Sequence, residues 1–449
     1  MFIFRDPAIN SILGLFCMVR KRINYALQES GSLLDRVFDM ISSHSCGIVL
    51  LSNNNTINSF EWIGGIGKIK EFTGADEKNV FEEFRKFLDS NKDWTFGHLS
   101  YDLKNAIEKL NSDHPDGIQF PYIHFFVPEL LITKNPDSLS AEFSNENDGK
   151  KLSGQNPSAK NIPQQKIKLL ARSSRKKYIS DVNSLLDHIR RGDIYEINYC
   201  IEFFAEHVKI DPVSVFKKLN QLTEAPFSAL YRNGEQWLIC ASPERFLRKN
   251  GNKITSQPIK GTRPRGKNPA DDLRLKDELM NDPKERSENV MIVDLVRNDL
   301  SRSAKKGSVK VEELFGIHTF KNVHQMISTV SAKLDEHVHP VQAIKNAFPM
   351  GSMTGAPKVR AMELAEEFEN MRRGLYSGAV GYFTPGMDFD FNVVIRSIQY
   401  NSKTGYLSLM VGSAITAKSD PEKEYSECLV KAETLFRALG VELNETNYE

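Results

Sequence analysis

Cysteine is scarce in this sequence, and the little there is makes no pattern. Cys17, Cys46, Cys200, Cys240 and Cys428 are scattered through 449 residues, with no Cys-x-x-Cys pair and no metal-ligand spacing. A disulfide scaffold and a zinc ribbon are excluded, and free thiols in a reducing, cytoplasmic setting are expected. A dominant charge is also lacking. Lys and Arg number 59 against 58 Asp and Glu, a net charge of +1, which leaves no electrostatic footprint for nucleic acid or an acidic surface. The apolar run at residues 12–19 is too short to cross a bilayer. Its basic cluster, Arg20 to Arg22, follows the run, whereas a signal peptide carries charge ahead of it. No membrane partner is expected. Met18 lies just ahead of Arg20, so residues 1–17 read as an over-extended gene start. No repeat of 20–50 residues is visible, which removes solenoids and propellers.

What is present is globular material: 40% apolar and 26% charged residues, enough over this length for a sizeable core. Residues 46–52 (CGIVLLS) and 123–132 (IHFFVPELLI) read as buried strands, and residues 79–88 as a helix. Residues 135–166 are rich in Ser, Asn, Gly and Lys, the composition of a linker or loop. They separate an amino-terminal region, 1–134, from a larger region, 167–449. In the latter, helices are predicted at 175–190, 283–300, 357–369 and 421–439. Strands are predicted at 195–204, 227–232, 236–241, 253–258, 377–384, 389–400 and 405–411. Hairpin-like spacing with grouped helices predicts an α+β fold, with antiparallel sheets rather than a doubly wound parallel one.

Three constellations carry chemistry. The first is a pair of similar helix starts. Asp282 and Pro283 suit the N-cap and first helical position, and Glu285 and Glu288 are three apart on one face. Asp420 and Pro421 repeat the start, Glu424 and Glu427 repeat the spacing, and Lys431 lies one turn on. Such acids either favour the helix dipole or converge on a hard cation such as Mg²⁺, which takes oxygen ligands. The second is residues 348–369, where Gly351 and Gly355 bracket a loop and Pro357 opens a helix. Loop amides there either dock an anionic group or simply make a turn; the Walker spacing is absent. The third is ASPERFLRKNGNKITSQPIKG. A turn at Asn250 to Asn252 folds two strands into a hairpin and brings Glu244 near Lys260. A lysine in an apolar pocket or near other cations loses its proton readily and becomes a nucleophile, and a nearby acid can protonate a leaving hydroxyl. Both residues also read as ordinary solvated side chains.

A resemblance links the three. SPERFL (242–247), PIKGTRPRG (258–266), ERSENVMIVDLVRNDL (285–300), GSMTGAPK (351–358), YSGAVGYF (376–383) and GSAITAKSDPEKEYSE (412–427) resemble, in order, the blocks of the chorismate-utilising enzymes. That family holds anthranilate synthase component I, aminodeoxychorismate synthase component I, isochorismate synthase and salicylate synthase. The resemblance covers roughly residues 170–440, and WTFGHLSYDL (94–103) is similar to the more variable amino-terminal part. It implies large antiparallel sheets packed together with helices outside, and chorismate as substrate.

Within the family, Lys260 is the choice-making residue. The aminodeoxychorismate synthases resemble PIKGT here, whereas anthranilate synthases carry PIAGT. The resemblance therefore implies conversion of chorismate and ammonia to 4-amino-4-deoxychorismate. Lys260 would add at carbon 2 while Glu244 protonates the departing carbon 4 hydroxyl, and ammonia would then expel the lysine. Glu196 stands where isochorismate and salicylate synthases carry a water-activating lysine, so their chemistry is disfavoured. By the same resemblance Glu288 and Glu427 bind Mg²⁺, with Glu285 and Glu424 close by. Arg396, Tyr376, Gly412 and Lys431 match positions that hold chorismate's carboxylates, and Ser352 and the amides near Thr354 complete the site. Anthranilate synthase component I is the alternative, and a non-catalytic chorismate-binding subunit is the alternative of another class.

Departures bear on this reading. Gln325-Met326 stands where many relatives have His-Leu, and His324 would face the other side of a strand, so it is left out of the site. LLSNN (50–54) lacks the glutamate of the Leu-Leu-Glu-Ser-like regulatory motif, so feedback inhibition by tryptophan is not expected. No cysteine lies in a Gly-x-Cys-x-Gly elbow, so nitrogen is expected from a separate glutamine amidotransferase subunit. No pyridoxal-phosphate lyase portion is expected, since the sequence stops soon after the last motif. The purified chain alone should use ammonium salts but not glutamine; glutamine turnover at a comparable rate would remove the need for the partner.

Overall fold

The structure is a computed structural model that describes residues 20–53, 59–74, 79–144, 152 and 166–442. The run at 12–19, Cys17, Met18 and Asn54 lie outside the described residues. Two antiparallel sheets organise the rest. The first runs through Lys21–Tyr25, Ser138–Phe143, Leu130–Asn135, Trp62–Ile66, Cys46–Leu51, Phe227–Asn233, Gln236–Ser242, Ser397–Asn401, Tyr406–Thr416, Glu196–Ala205 and Gly355–Ala356. The second runs through Ile259–Pro264, Val323–Lys333, Lys253–Gln257, Arg245–Asn250, Phe389–Val393, Ala379–Phe383, Thr95–Leu99, Ile123–Val127 and Lys70–Gly74. This is the expected α+β architecture. Ile48, Phe96, Phe126, Tyr231 and Leu238 fill one core where residues of both sheets meet. Helices Ser30–Ser43, Arg175–Arg191, Pro212–Thr223 and Pro421–Leu439 contribute apolar faces to a second core on the first sheet. Among the described residues no helix is long and apolar enough to cross a membrane.

Local chemistry sets the element ends. Ser174 caps the Arg175–Arg191 helix by accepting from the Lys177 N–H, and Gly192, at φ 83°, closes it. Two apolar runs expected as single strands are each divided between the sheets. Ile123–Val127 belongs to the second and Leu130–Asn135 to the first, because Pro128 between them has no N–H for a ladder. Phe389–Val393 and Ser397–Asn401 part in the same way at a corner where Arg396 takes φ 51°.

The polar stretch 135–166 does not read through as linker. It opens with the strand Ser138–Phe143, paired on both sides, whose Leu139, Ala141 and Phe143 are buried. Alternation with Ser138, Ser140 and Glu142 hid a period of two inside a polar composition. The regions on either side of it also share both sheets: Cys46–Leu51 pairs with Phe227–Asn233, and Thr95–Leu99 with Ala379–Phe383.

One buried ion pair ties together three segments of the larger region. Arg373 and Glu369 are 1% and 5% exposed and meet side-on, Nε to Oε2 at 2.8 Å and Nη2 to Oε1 at 2.6 Å. The guanidinium also donates to the Met353 carbonyl at 2.7 Å and the Asn198 carbonyl at 2.8 Å, while Glu369 accepts from the Cys200 N–H at 2.9 Å. With each partner so satisfied, removing one strands the other in the core. Arg373→Met is expected to lose about 3–5 kcal/mol of unfolding free energy, measured by urea denaturation; a loss under about 1 kcal/mol would mean the pair is dispensable.

Candidate active site

The hairpin expected around Asn250 to Asn252 is formed. Arg245 pairs with Gln257 and Asn250 with Lys253, and Gly251 takes φ 58° at the turn. Lys253–Gln257 and Ile259–Pro264 run along one edge of Val323–Lys333, interrupted at Pro258. The ladder is irregular between Ile259 and Thr262, and Lys260 sits in that bulge, followed by Gly261 at φ 87°. A bulge of this kind re-aims a side chain, here away from the ladder and into the protein.

Lys260 has a side chain only 10% exposed, and its ammonium donates to Glu196 Oε1 at 2.6 Å. Burial works against its charge, but Glu196, Glu288 and Glu244 outweigh it and hold its pKa above the ordinary value. The sequence expectation was a lysine that gives up its proton readily. Resting alone, the site does the reverse, because three carboxylates act on the ammonium in place of an apolar pocket or other cations. Glu244, 5% exposed, is pushed up to about 7 by burial, against the lowering effects of Ser352, Lys260 and the Ile259 N–H. The Ser352 hydroxyl acts on it through proximity, without a hydrogen bond of ordinary geometry.

The two similar helices are Pro283–Ser301 and Pro421–Leu439, and both caps are as read. Asp282 accepts from the Lys284 and Glu285 N–H groups, and Asp420 from those of Glu422 and Lys423. The dipole accounts for an acid in the first turn, such as Glu285, but its effect fades before Glu288 and Glu427. Burial lifts Glu288 to about 7, and its Oε1 has no hydrogen-bond partner. Lys284 lies between the helices, 3.8 Å from Glu288 Oε1 and 3.3 Å from Glu424 Oε1. Glu285 is raised by burial and faces Arg263 at 3.5 Å. For Glu427, burial is outweighed by Lys431, Lys284 and Lys260, and its pKa is lowered. Among the described residues no three His, Cys, Asp or Glu side chains are already gathered as a metal cage.

The other expected residues surround this group. Lys431 bridges Glu427 at 2.7 Å and the Gly412 carbonyl at 2.8 Å, and Arg396 reaches the Lys431 carbonyl at 3.4 Å. Burial lowers the Arg396 pKa, with Tyr376 and Glu427 opposing. Gly412 has a packing reason to be glycine, since a Cβ there would come 2.7 Å from Cys200 Sγ. Thr354 follows the Gly351–Met353 turn as its C-cap. Its N–H donates to the Gly351 carbonyl and its hydroxyl to the Met350 and Gly351 carbonyls, while the Met353 N–H goes to Met350. These groups hold the Gly351–Met353 turn together. Gly355, at φ 155°, lets the turn lie against the Glu196 carbonyl, 2.2 Å from where a Cβ would be. His324 does face away, toward Thr319 and Asp272, each at 3.0 Å.

Sequence reading missed two residues as members of the site. Glu196 entered only as an argument against another chemistry, yet it is the direct partner of Lys260. A lone acid where relatives carry lysine was the available signal. Lys284 was passed over because a lysine in a helix's first turn looks solvated.

Comparison with known proteins gives the family. A family model described as chorismate binding enzyme matches residues 48–437, and the chain belongs to that family. It is 42% identical over 270 residues to the probable chloroplastic aminodeoxychorismate synthase of Oryza sativa subsp. japonica, covering 60% of this chain and 30% of the rice protein. The chain thus spans about a third of that relative's length. It is 34% identical over 359 residues to anthranilate synthase component 1 of Thermus thermophilus, covering 76% of each. In fold it is similar to the crystal structure of anthranilate synthase component I from Streptococcus pneumoniae, with a TM-score of 0.75, 23% identity, and coverage of 83% and 91%.

Glu244 makes this site measurable in stability. Its folded pKa lies above the unfolded one, so between about 4.5 and about 7 the native state holds the extra proton and stability falls as pH rises. Glu244→Gln should therefore gain stability over the wild type as pH goes from 5 to 8, by up to about 3 kcal/mol. A constant difference in urea unfolding at the two pH values would mean Glu244 ionises normally.

Proposed function

We propose that this chain aminates chorismate at carbon 4, giving 4-amino-4-deoxychorismate from chorismate and ammonia, as the synthase subunit of an aminodeoxychorismate synthase. The observation that carries the reading is Lys260, largely enclosed in a bulge with Glu196 at 2.6 Å and Glu244 within electrostatic range. Its amine needs to lose a proton before it attacks, and Glu196 is the acceptor in contact with it. The Lys260 nitrogen then bonds to carbon 2, both ring double bonds shift by one position, and the carbon 4 oxygen leaves as water with a proton from Glu244. A pKa near 7 suits Glu244 to that task. Ammonia next bonds to carbon 4, the bond between carbon 2 and Lys260 breaks, and Glu244 takes back a proton. Arg396 and Lys431 are cations suited to the substrate's carboxylates, and Tyr376 and Gly412 pack beside them.

A hard divalent cation fits the carboxylates on the two helices, one of which has a buried oxygen with no partner. Glu288 and Glu427 would hold Mg²⁺, with Glu285 and Glu424 next to them. When bound, Mg²⁺ neutralises the ring carboxylate and draws electron density from the ring. A glutamine amidotransferase subunit supplies the ammonia. In support, Cys46, Cys200, Cys240 and Cys428 are buried free thiols, and burial pushes Cys428 to about 11 and Cys240 to about 12, the opposite of an activated nucleophile.

The Thermus thermophilus relative favours a second reading, anthranilate formation by direct attack at carbon 2. Products separate the two. With chorismate, Mg²⁺ and ammonium salt, the wild type should give 4-aminobenzoate once a downstream lyase is added, and Lys260→Ala should cut the rate by about 10³-fold or more. Anthranilate from the wild type would establish the second reading instead. Glu196→Gln should lower kcat while moving the rising limb of the kcat/KM pH profile to lower pH, since Glu196 is what raises the Lys260 pKa. An unmoved limb would take Glu196 out of the proton path.

A further inference from the structure

Lys284 does something that neither helix capping nor packing requires. It projects from the first turn of the Pro283–Ser301 helix, with its side chain 42% exposed, yet its ammonium points inward between two carboxylates that are 8% and 2% exposed. One, Glu288, belongs to its own helix; the other, Glu424, belongs to the Pro421–Leu439 helix. At 3.3 Å the contact with Glu424 is a hydrogen bond, while the 3.8 Å approach to Glu288 leaves that oxygen without one. A unit positive charge therefore stands at the meeting point of acids from two helices, with one buried carboxylate oxygen still unmatched. Without Lys284, Glu424 would lose its hydrogen-bonded cation and Glu288 one of the two lysines that act on it, leaving two buried acids less well compensated.

We infer that Lys284 is a displaceable internal cation, which holds the two helices' carboxylates together in the metal-free protein and swings out to solvent when a divalent cation binds. The inference rests on the proposed metal site and adds to it a reason why the acids stay gathered without metal. Its half-exposed, flexible stem gives the ammonium a way out that the other lysines of the site lack. Lys260 is only 10% exposed and held against Glu196, and Lys431 is anchored to the Gly412 carbonyl. The cost of displacing Lys284 weakens the apparent affinity for metal, so the resting site is guarded against casual occupancy and fills when metal is abundant.

The test uses the full chain, with MgCl₂ as the probe, read by isothermal titration and by thermal unfolding with and without metal. Lys284→Met should lower the Tm of the metal-free protein and bind Mg²⁺ at least about tenfold more tightly than wild type, one competing unit charge having been removed from a partly buried site. The Tm values of the two proteins should converge at saturating Mg²⁺. Lys284→Arg, which keeps the cation, should bind no more tightly than wild type and confirms that a folded variant is being compared. Equal Mg²⁺ affinity in wild type and Lys284→Met, or an unchanged metal-free Tm, would overturn the displacement role while leaving the metal site standing. Binding by Lys284→Met alone would support it strongly. Absence of Mg²⁺ binding in both would overturn the inference together with the metal site on which it rests.

Discussion

The side-on pair of Arg373 and Glu369 is the interaction on which the site depends. It is a charged knot whose two side chains are almost wholly removed from the surface. Through it the end of the Lys358–Phe368 helix is joined to the backbone of Glu196–Ala205 at Asn198 and Cys200, and to the Gly351–Met353 turn at Met353. Glu196 lies two residues from Asn198 on that same strand, and Ser352 lies on that same turn. The positions of the partner of Lys260 and of the hydroxyl beside Glu244 are thus set by one guanidinium. A buried ion pair adds little net stability on its own. Here its use is to fix register between segments that are far apart in sequence.

The site itself is a balance of opposite charges in little water. Lys260 is drawn on by Glu196, Glu288 and Glu244, and each acid is in turn less costly because Lys260 is there. Two carboxylates are brought near neutrality on the pH scale by burial, whereas Glu427, with Lys431 against it, is held ionised. Acids of one type are thereby divided into proton donors and fixed anions by environment alone. An arriving substrate with carboxylates, or an arriving cation, disturbs that balance and so changes which group carries the protons.

Much of this was legible in the sequence, for physical reasons that differ from place to place. The Asp-Pro starts at 282 and 420 located two helices to the residue, since cap and proline act locally. The Asn250 to Asn252 turn gave the hairpin that joins Glu244 to Lys260, again a local rule. The same kind of start went unread at Asp211 and Asn268, where the caps hold helices Pro212–Thr223 and Pro269–Asn281. Failures were of two kinds. The runs at 123–132 and 389–400 were read as single strands because composition does not reveal a change of sheet. The state of Lys260 was read wrongly because Glu196, 64 residues away, comes beside it only in the fold. The motif resemblance supplied identity but not the charge around the lysine, which is a property of three dimensions.

The sharing of both sheets by the two halves of the sequence has a consequence for how the molecule is made. The Cys46–Leu51 strand waits for Phe227–Asn233, and Thr95–Leu99 waits for Ala379–Phe383, almost three hundred residues later. An emerging chain therefore carries apolar strands with open edges through most of its synthesis. Loop closure over such distances is slow, and exposed edges invite pairing between chains. The protein is one that benefits from an escort while it is being built, and cutting it at the polar stretch would yield two unfinished sheets rather than two modules.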